Sequence, residues 1–187
     1  MYQKEYKILA LYLGDFKGRY YLREISKQTG LSLRTTQRTL KTLEKAGVIK
    51  SKQEGKNKYF FLNLGNIKTK FHLILTEIWK TINFIEEYKP FGSFLKEEVK
   101  PSIIVFGSFA RFEAGDESDL DLLVVGKAEL PFHLLPYKLH KIELTEKQFE
   151  RALRLKEPLI KELLKNHIVL TNHSYFIELF WAYYEKT

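Results

Sequence analysis

The amino-acid sequence predicts an α+β protein in three parts. A small module of short helices and one β-hairpin occupies residues 1–66, a long connecting helix residues 67–89, and a mixed sheet flanked by helices residues 90–187. Three observations carry this expectation. First, the net charge of +8 is confined to the first third: residues 1–66 hold fourteen Lys/Arg against five Asp/Glu, and the remainder seventeen against eighteen. Second, glycines punctuate short helical periods in that same third. Third, two apolar runs between residues 103 and 125 flank a polar loop that opens on Gly107-Ser108 and closes on Asp119 and Asp121, one residue apart.

Composition excludes several classes of function. With no cysteine there is neither a disulfide nor a thiolate-ligated zinc site, and five scattered histidines form no metal cluster. The opening residues, Met1-Tyr2-Gln3-Lys4-Glu5, carry charge where a secretory signal needs an apolar core. No apolar stretch approaches the roughly 20 residues of a membrane span. A cytoplasmic chain without a membrane partner is expected.

Residues 2–13 place Tyr6, Ile8, Leu9 and Leu13 at helical spacing, and Gly14 breaks the period. Residues 22–29 form a second helix stopped by Gly30. Ser32 is a candidate N-cap for a third helix over residues 33–46, ended by Gly47. In that helix Leu33, Leu40 and Leu43 face inward, while Arg34, Arg38, Lys41 and Lys45 recur at intervals of four, three and four and form a basic stripe. Ser32, Thr35 and Gln37 lie near its N-terminal end. Residues 48–52 and 58–63 read as strands joined by a turn over residues 53–57, with Lys56 and Lys58 at the tip.

These residues, with the stretch Leu43-Glu44-Lys45-Ala46-Gly47-Val48-Ile49 leading into a basic hairpin, resemble the winged helix-turn-helix family of prokaryotic transcription regulators. The resemblance implies double-stranded DNA as partner. Ser32, Arg34, Thr35, Gln37, Arg38, Lys41 and Lys45 would meet the major groove, and Lys56 and Lys58 of the wing would meet phosphates. The alternatives are a small helical domain whose basic face is merely solvated or docks a protein, and RNA in place of DNA as the polyanion.

The connecting helix carries Phe71, Ile74, Leu75, Ile78, Ile82 and Ile85, with Trp79 alongside. It is either a dimerisation helix, giving a homodimer for paired DNA half-sites, or a linker packed on its own chain. Pro90-Phe91-Gly92 breaks it, and residues 93–100 are expected to form a short helix. The sheet then follows: a strand over residues 103–106, a second that opens on Asp119 and Asp121 and ends at Val125 before Gly126, a short helix over 130–139 interrupted by Pro131 and Pro136, a third strand over 139–144, helices over 146–155 and 159–165, a last strand over 167–171 and an aromatic terminal helix over 175–184. Thr145 with Gln148 reads as a capping box.

Asp119 and Asp121 share one face of their strand, because side chains alternate. Converging carboxylates are costly without a cation between them, and a hard divalent ion with phosphate oxygens is the natural occupant. Gly107 allows a phosphate to approach the backbone, and Ser108 offers a hydroxyl. The pattern Gly107-Ser108-Phe109-Ala110-Arg111, a spacer, then Ser118-Asp119-Leu120-Asp121-Leu122-Leu123-Val124 resembles the DNA polymerase β-like nucleotidyltransferases, in particular the minimal nucleotidyltransferase (MNT) branch. Two positions depart from that pattern: Phe112 stands where the family usually has glycine, and Phe109 where a polar or basic residue is common.

The resemblance implies a catalytic set of Asp119, Asp121 and a third acid, for which Glu143 is the candidate; an exposed strand residue is the other reading of Glu143. It implies Mg²⁺ or Mn²⁺ on Asp119 and Asp121, and a nucleoside triphosphate, ATP foremost, at Gly107, Ser108 and Arg111. Arg111 either contacts phosphate or braces the loop that bears the aspartates. Two functions are expected. The first is nucleotidyl transfer to a hydroxyl of a protein or small molecule, a HEPN-type toxin among the protein partners. The second is a non-catalytic transcription regulator that uses this fold as sensor or dimer scaffold.

Overall fold

The computed structural model describes residues 3–96, 101–127 and 130–185. The chain divides into two compact units, Met1–Thr76 with Phe180–Thr187, and Glu77–Leu179. In the first unit α1 (Gln3–Leu9) runs into a 3₁₀ turn and is followed by β1 (Tyr20–Tyr21), α2 (Leu22–Thr29), α3 (Leu33–Lys45), β2 (Ile49–Glu54) and β3 (Asn57–Leu62). The three strands pair antiparallel in the order β1-β3-β2. β1 has only two residues, too few to leave an alternating pattern, and sequence reading passes over it.

The turn chemistry explains the boundaries. Gly30 takes the left-handed conformation, φ 69°, that ends α2. Ser32 Oγ accepts from the Thr35 amide and caps α3. Gly55, φ 58°, is the first residue of the two-residue loop joining β2 to β3, as a type II′ turn requires. The inward face of α3 differs from the expected one: Thr36 and Thr39 are buried with Leu40 and Leu43, and Leu33 is 48% exposed. The Thr36 hydroxyl donates to the Ser32 carbonyl at 3.0 Å and that of Thr39 to the Thr35 carbonyl at 2.9 Å. With their hydroxyls satisfied one turn back, the threonines bury as apolar residues do, and the inward face turns away from Leu33.

Residues 180–185, expected to belong with the sheet, group with the first unit. Phe16 supplies the reason, stacking on Tyr184 at 5.1 Å and packing on Phe180 and Trp181 at 6.4 Å each.

α4 (Ile67–Glu87) contributes residues to both units. After it the second unit holds α5 (Pro90–Phe94), β4 (Ser102–Phe106), α6 (Gly107–Ala110), β5 (Leu120–Val125), β6 (Leu139–Leu144), α7 (Glu146–Leu155), α8 (Pro158–Lys165), β7 (Ile168–Val169) and the start of α9 (His173–Glu185). The sheet order is β6-β5-β4-β7, with β5 and β6 parallel and the other pairs antiparallel. The helix expected over residues 93–100 is instead α5, which starts at Pro90, where a missing N–H costs nothing. Residues 97–100 of that expectation lie outside the described residues. Thr145 and Gln148 form the capping box of α7. No helix of the described residues is long and apolar enough to cross a membrane.

One core of this unit joins Phe84, Phe91 and Phe94 to Ile103, Val105, Leu120 and Leu122. Beside it lies a buried polar cluster. Glu77 Oε1 meets His167 Nε2 at 2.7 Å, its Oε2 faces Lys80 Nζ at 3.2 Å, and His167 Nδ1 meets the Leu163 carbonyl at 2.6 Å. Next to them the Thr81 hydroxyl donates to the Val169 carbonyl of β7. Glu77 is fully buried. Burial alone would push its carboxyl up, but Lys80 and His167 outweigh that and hold it at about 2, below the ordinary 4.5.

A carboxyl depressed in the folded state stabilises above its unfolded pKa and loses that contribution as pH falls toward its folded value. The second unit is therefore expected to lose thermal stability between about pH 4.5 and 2. His167→Ala, which leaves Glu77 buried with only Lys80, should cost on the order of 3 kcal/mol. Thermal and urea unfolding, followed by circular dichroism across that pH range, measures both.

Candidate active site and nucleic-acid interface

Asp121 sits where three strands meet. In the antiparallel register it lies opposite Phe106, the last residue of β4, and in the parallel register opposite His140, near the start of β6. Asp119 precedes β5 by one residue and, by alternation, shares the face of Asp121. The turn that delivers it is closed by Ser118, whose side chain accepts from the Gly115 amide at 2.9 Å.

Gly107 follows Phe106 directly, with φ 68°. A Cβ built there would overlap Asp121 Oδ2 and stand 3.1 Å from its Cγ. The carboxylate thus occupies the space that any other residue's side chain would take. Both the backbone angle and the close approach require glycine. Ser108 comes next, half-buried, and its carbonyl accepts from the amides of Arg111 and Glu113.

Each aspartate has a cationic or polar partner. Asp119 Oδ2 pairs with Lys138 Nζ at 3.0 Å, and Asp121 Oδ1 with His140 Nδ1 at 2.8 Å. Lys138 and His140 are largely exposed, so both can swing away into solvent. Among the described residues no group of three or more His, Asp or Glu is placed to hold a metal ion. Two carboxylates nevertheless fit Mg²⁺ or Mn²⁺, because such an ion commonly takes one or two carboxylates and completes its shell with water and substrate phosphate.

Arg111 Nε binds Glu113 Oε2 at 2.7 Å. The pairing is a local one, between residues two apart in the loop that leads from α6 to β5. Glu113 is the main influence holding the guanidinium charged, with Glu162 and then Asp121 adding to it.

Glu143 is not brought to the site. It lies opposite Val124 in the β5–β6 register, on the face opposite to Asp121, and pairs with Lys141 at 2.6 Å. The expectation of Glu143 as third acid is corrected by register: His140 is the β6 residue level with Asp121. Sequence reading missed His140 and Lys138, because nothing in one chain fixes how two parallel strands align.

The two family departures also resolve. Phe112 adopts φ 59°, the left-handed region that a glycine fills without strain, and its ring stacks 6.1 Å from Tyr88. Phe109 is buried between Tyr88 at 5.0 Å and Tyr137 at 4.8 Å, so position 109 serves the core and not the site.

In the first unit Arg34, Gln37, Arg38, Lys41 and Lys45 are exposed on α3, and Thr35 is half-buried. Gln37 and Lys41 line a groove of about 940 Å³ with Lys56 and Lys58 of the hairpin and Arg23 of α2, a cation sequence reading did not single out. Two expected contacts are committed elsewhere. The Ser32 hydroxyl is the α3 cap. Lys58 pairs with Glu44 of α3 at 3.4 Å and lies 5.1 Å over the Phe60 ring. The Ser51 hydroxyl of β2 also binds Glu44.

Two family models match the chain: residues 3–50 match the winged helix-turn-helix DNA-binding domain, and residues 89–173 the nucleotidyltransferase domain. No curated protein and no solved structure matches it.

Gly107→Ala is expected to keep the sheet but displace Asp121, with a cost of about 1–2 kcal/mol from the left-handed backbone alone. Thermal unfolding measures the cost. The Asp121–His140 contact, read from the His140 imidazole resonances by NMR, should be lost.

Proposed function

From a chain that joins a winged helix-turn-helix DNA-binding domain to a nucleotidyltransferase domain, we propose a DNA-bound enzyme that transfers a nucleotidyl group from a metal-bound triphosphate to a hydroxyl. The observation that carries this reading is the convergence of Asp119 and Asp121 on one face beside a glycine that has no room for a side chain. On this reading Asp119 and Asp121 hold Mg²⁺ or Mn²⁺, and Gly107 and Ser108 meet the phosphates of the triphosphate, ATP foremost. The ion, when bound, neutralises charge on the phosphates and on the departing pyrophosphate. Asp119 and Asp121 would hold the ion with the oxygens that now pair with Lys138 and His140, two largely exposed side chains. As the acceptor oxygen bonds to the α-phosphorus its hydroxyl proton passes to solvent, the bond from the α-phosphorus to the bridging oxygen of the β-phosphate breaks, and pyrophosphate leaves with that electron pair. The acceptor is a hydroxyl of a protein, a HEPN-type partner among them, or of a small molecule.

A second reading is a regulator that binds the triphosphate without transferring it. One observation favours it: the residue level with Asp121 on β6 is His140 and not a carboxylate. In both readings Arg34, Gln37, Arg38, Lys41 and Lys45 of α3 face duplex DNA and Lys56 meets a phosphate.

Two measurements test the proposal. Calorimetric titration with ATP and Mg²⁺ should show binding that Asp121→Ala abolishes; absence of binding for all four triphosphates removes both readings. Incubation with α-³²P-labelled triphosphate and cell lysate should label an acceptor; binding without labelling selects the regulator. At the other end, Arg38→Ala should weaken duplex binding and lower the slope of log K against log salt by about one. A slope that does not change removes Arg38 from the interface.

A further inference from the structure

The connecting helix leaves an apolar stripe in solvent. Ile67, Phe71, Leu75, Ile78 and Ile82 of α4 are 37–59% exposed, although each is a large aliphatic or aromatic residue. At about 100° per residue they fall within one arc of roughly 80°. An isolated exposed leucine means nothing, but five in one line mark an interaction surface.

The spacing specifies the occupant. Phe71, Leu75, Ile78 and Ile82 recur at four, three and four residues, the seam of a helix pair. That order reads the same in both directions. A second copy laid antiparallel about a two-fold axis therefore sets Phe71 opposite Ile82 and Leu75 opposite Ile78, twice over.

Charge selects the same orientation. Lys68 and Glu86 are both exposed and lie eighteen residues apart, five turns at about 3.6 residues per turn, so they flank the stripe on the same side. The first turn of α4 contains no acidic residue and the last turn no basic one. In an antiparallel pair same-side flanks face each other, and Lys68 of one copy comes beside Glu86 of the other at both ends. A parallel pair would instead keep Lys68 and Glu86 five turns apart along the axis, with no ion pair between them. We infer that the chain forms a homodimer through antiparallel pairing of its α4 helices, with Phe71, Leu75, Ile78 and Ile82 as the seam and Lys68–Glu86 as the flanking ion pairs. Such a dimer presents two copies of α3 to DNA, as paired half-sites require.

Light scattering after size exclusion of the full chain at tens of micromolar should give twice the mass of one chain. Ile78→Glu should raise the dissociation constant about 30-fold or more, with an unchanged circular dichroism spectrum. Lys68→Glu and Glu86→Lys should each weaken the dimer, and the double variant should restore it. The absence of native cysteine allows a direct test of orientation. Phe71→Cys mixed with Ile82→Cys should cross-link, while neither alone should, because its two thiols would lie about 16 Å apart at 1.5 Å per residue. A monomeric chain, or one that pairs its stripe only with a different protein, overturns the inference. So does a dimer indifferent to Ile78→Glu, or self-cross-linking of Phe71→Cys.

Discussion

The site depends on one steric fact: position 107 has no side chain, and the carboxylate of Asp121 lies in the space a side chain would fill. That approach follows from the antiparallel register, in which Phe106 lies opposite Asp121 and the chain must turn immediately afterwards. A left-handed residue at 107 makes the turn, and only glycine takes that angle without strain. Asp119 then follows from strand alternation, and His140 from the parallel alignment of β6. The polar constellation is thus set by backbone geometry before any side chain chooses a rotamer.

The sheet that provides this geometry is held to α4 by two unlike means. Phe84, Phe91 and Phe94 pack on Ile103, Val105, Leu120 and Leu122, a hydrophobic contact that tolerates small shifts. The Glu77–His167–Lys80 cluster and the Thr81–Val169 hydrogen bond tie the second half of α4 to the region of β7. A buried charge left without its partner costs several kcal/mol, so these contacts permit few alternative arrangements. Hydrophobic packing and buried polar contacts thus hold the same helix.

Much of this was legible in the chain, and the failures have common causes. The winged module was readable because Gly30, Ser32, Gly47 and Gly55 act locally, through turn and cap chemistry that needs no tertiary context. Asp119 and Asp121 share a face by alternation alone. Glu143 was misjudged, and His140 missed, because the alignment of β6 against β5 is a non-local choice. Leu33 was placed inward on its chemistry, while Thr36 and Thr39 entered the core through hydrogen bonds to their own helix that composition does not reveal. Phe112 shows a local rule violated: a bulky residue holds a left-handed angle, and its ring stacks on Tyr88.

The ties around Glu44 carry a consequence of a different kind. This one carboxylate receives Lys58 from the hairpin and the Ser51 hydroxyl from β2, while itself belonging to α3. Helix and hairpin are therefore clamped together before any polyanion arrives. The two elements thus share an anchor in the free protein. If α3 and the hairpin meet a duplex together, as proposed, a duplex of another groove width would have to deform to fit their fixed spacing.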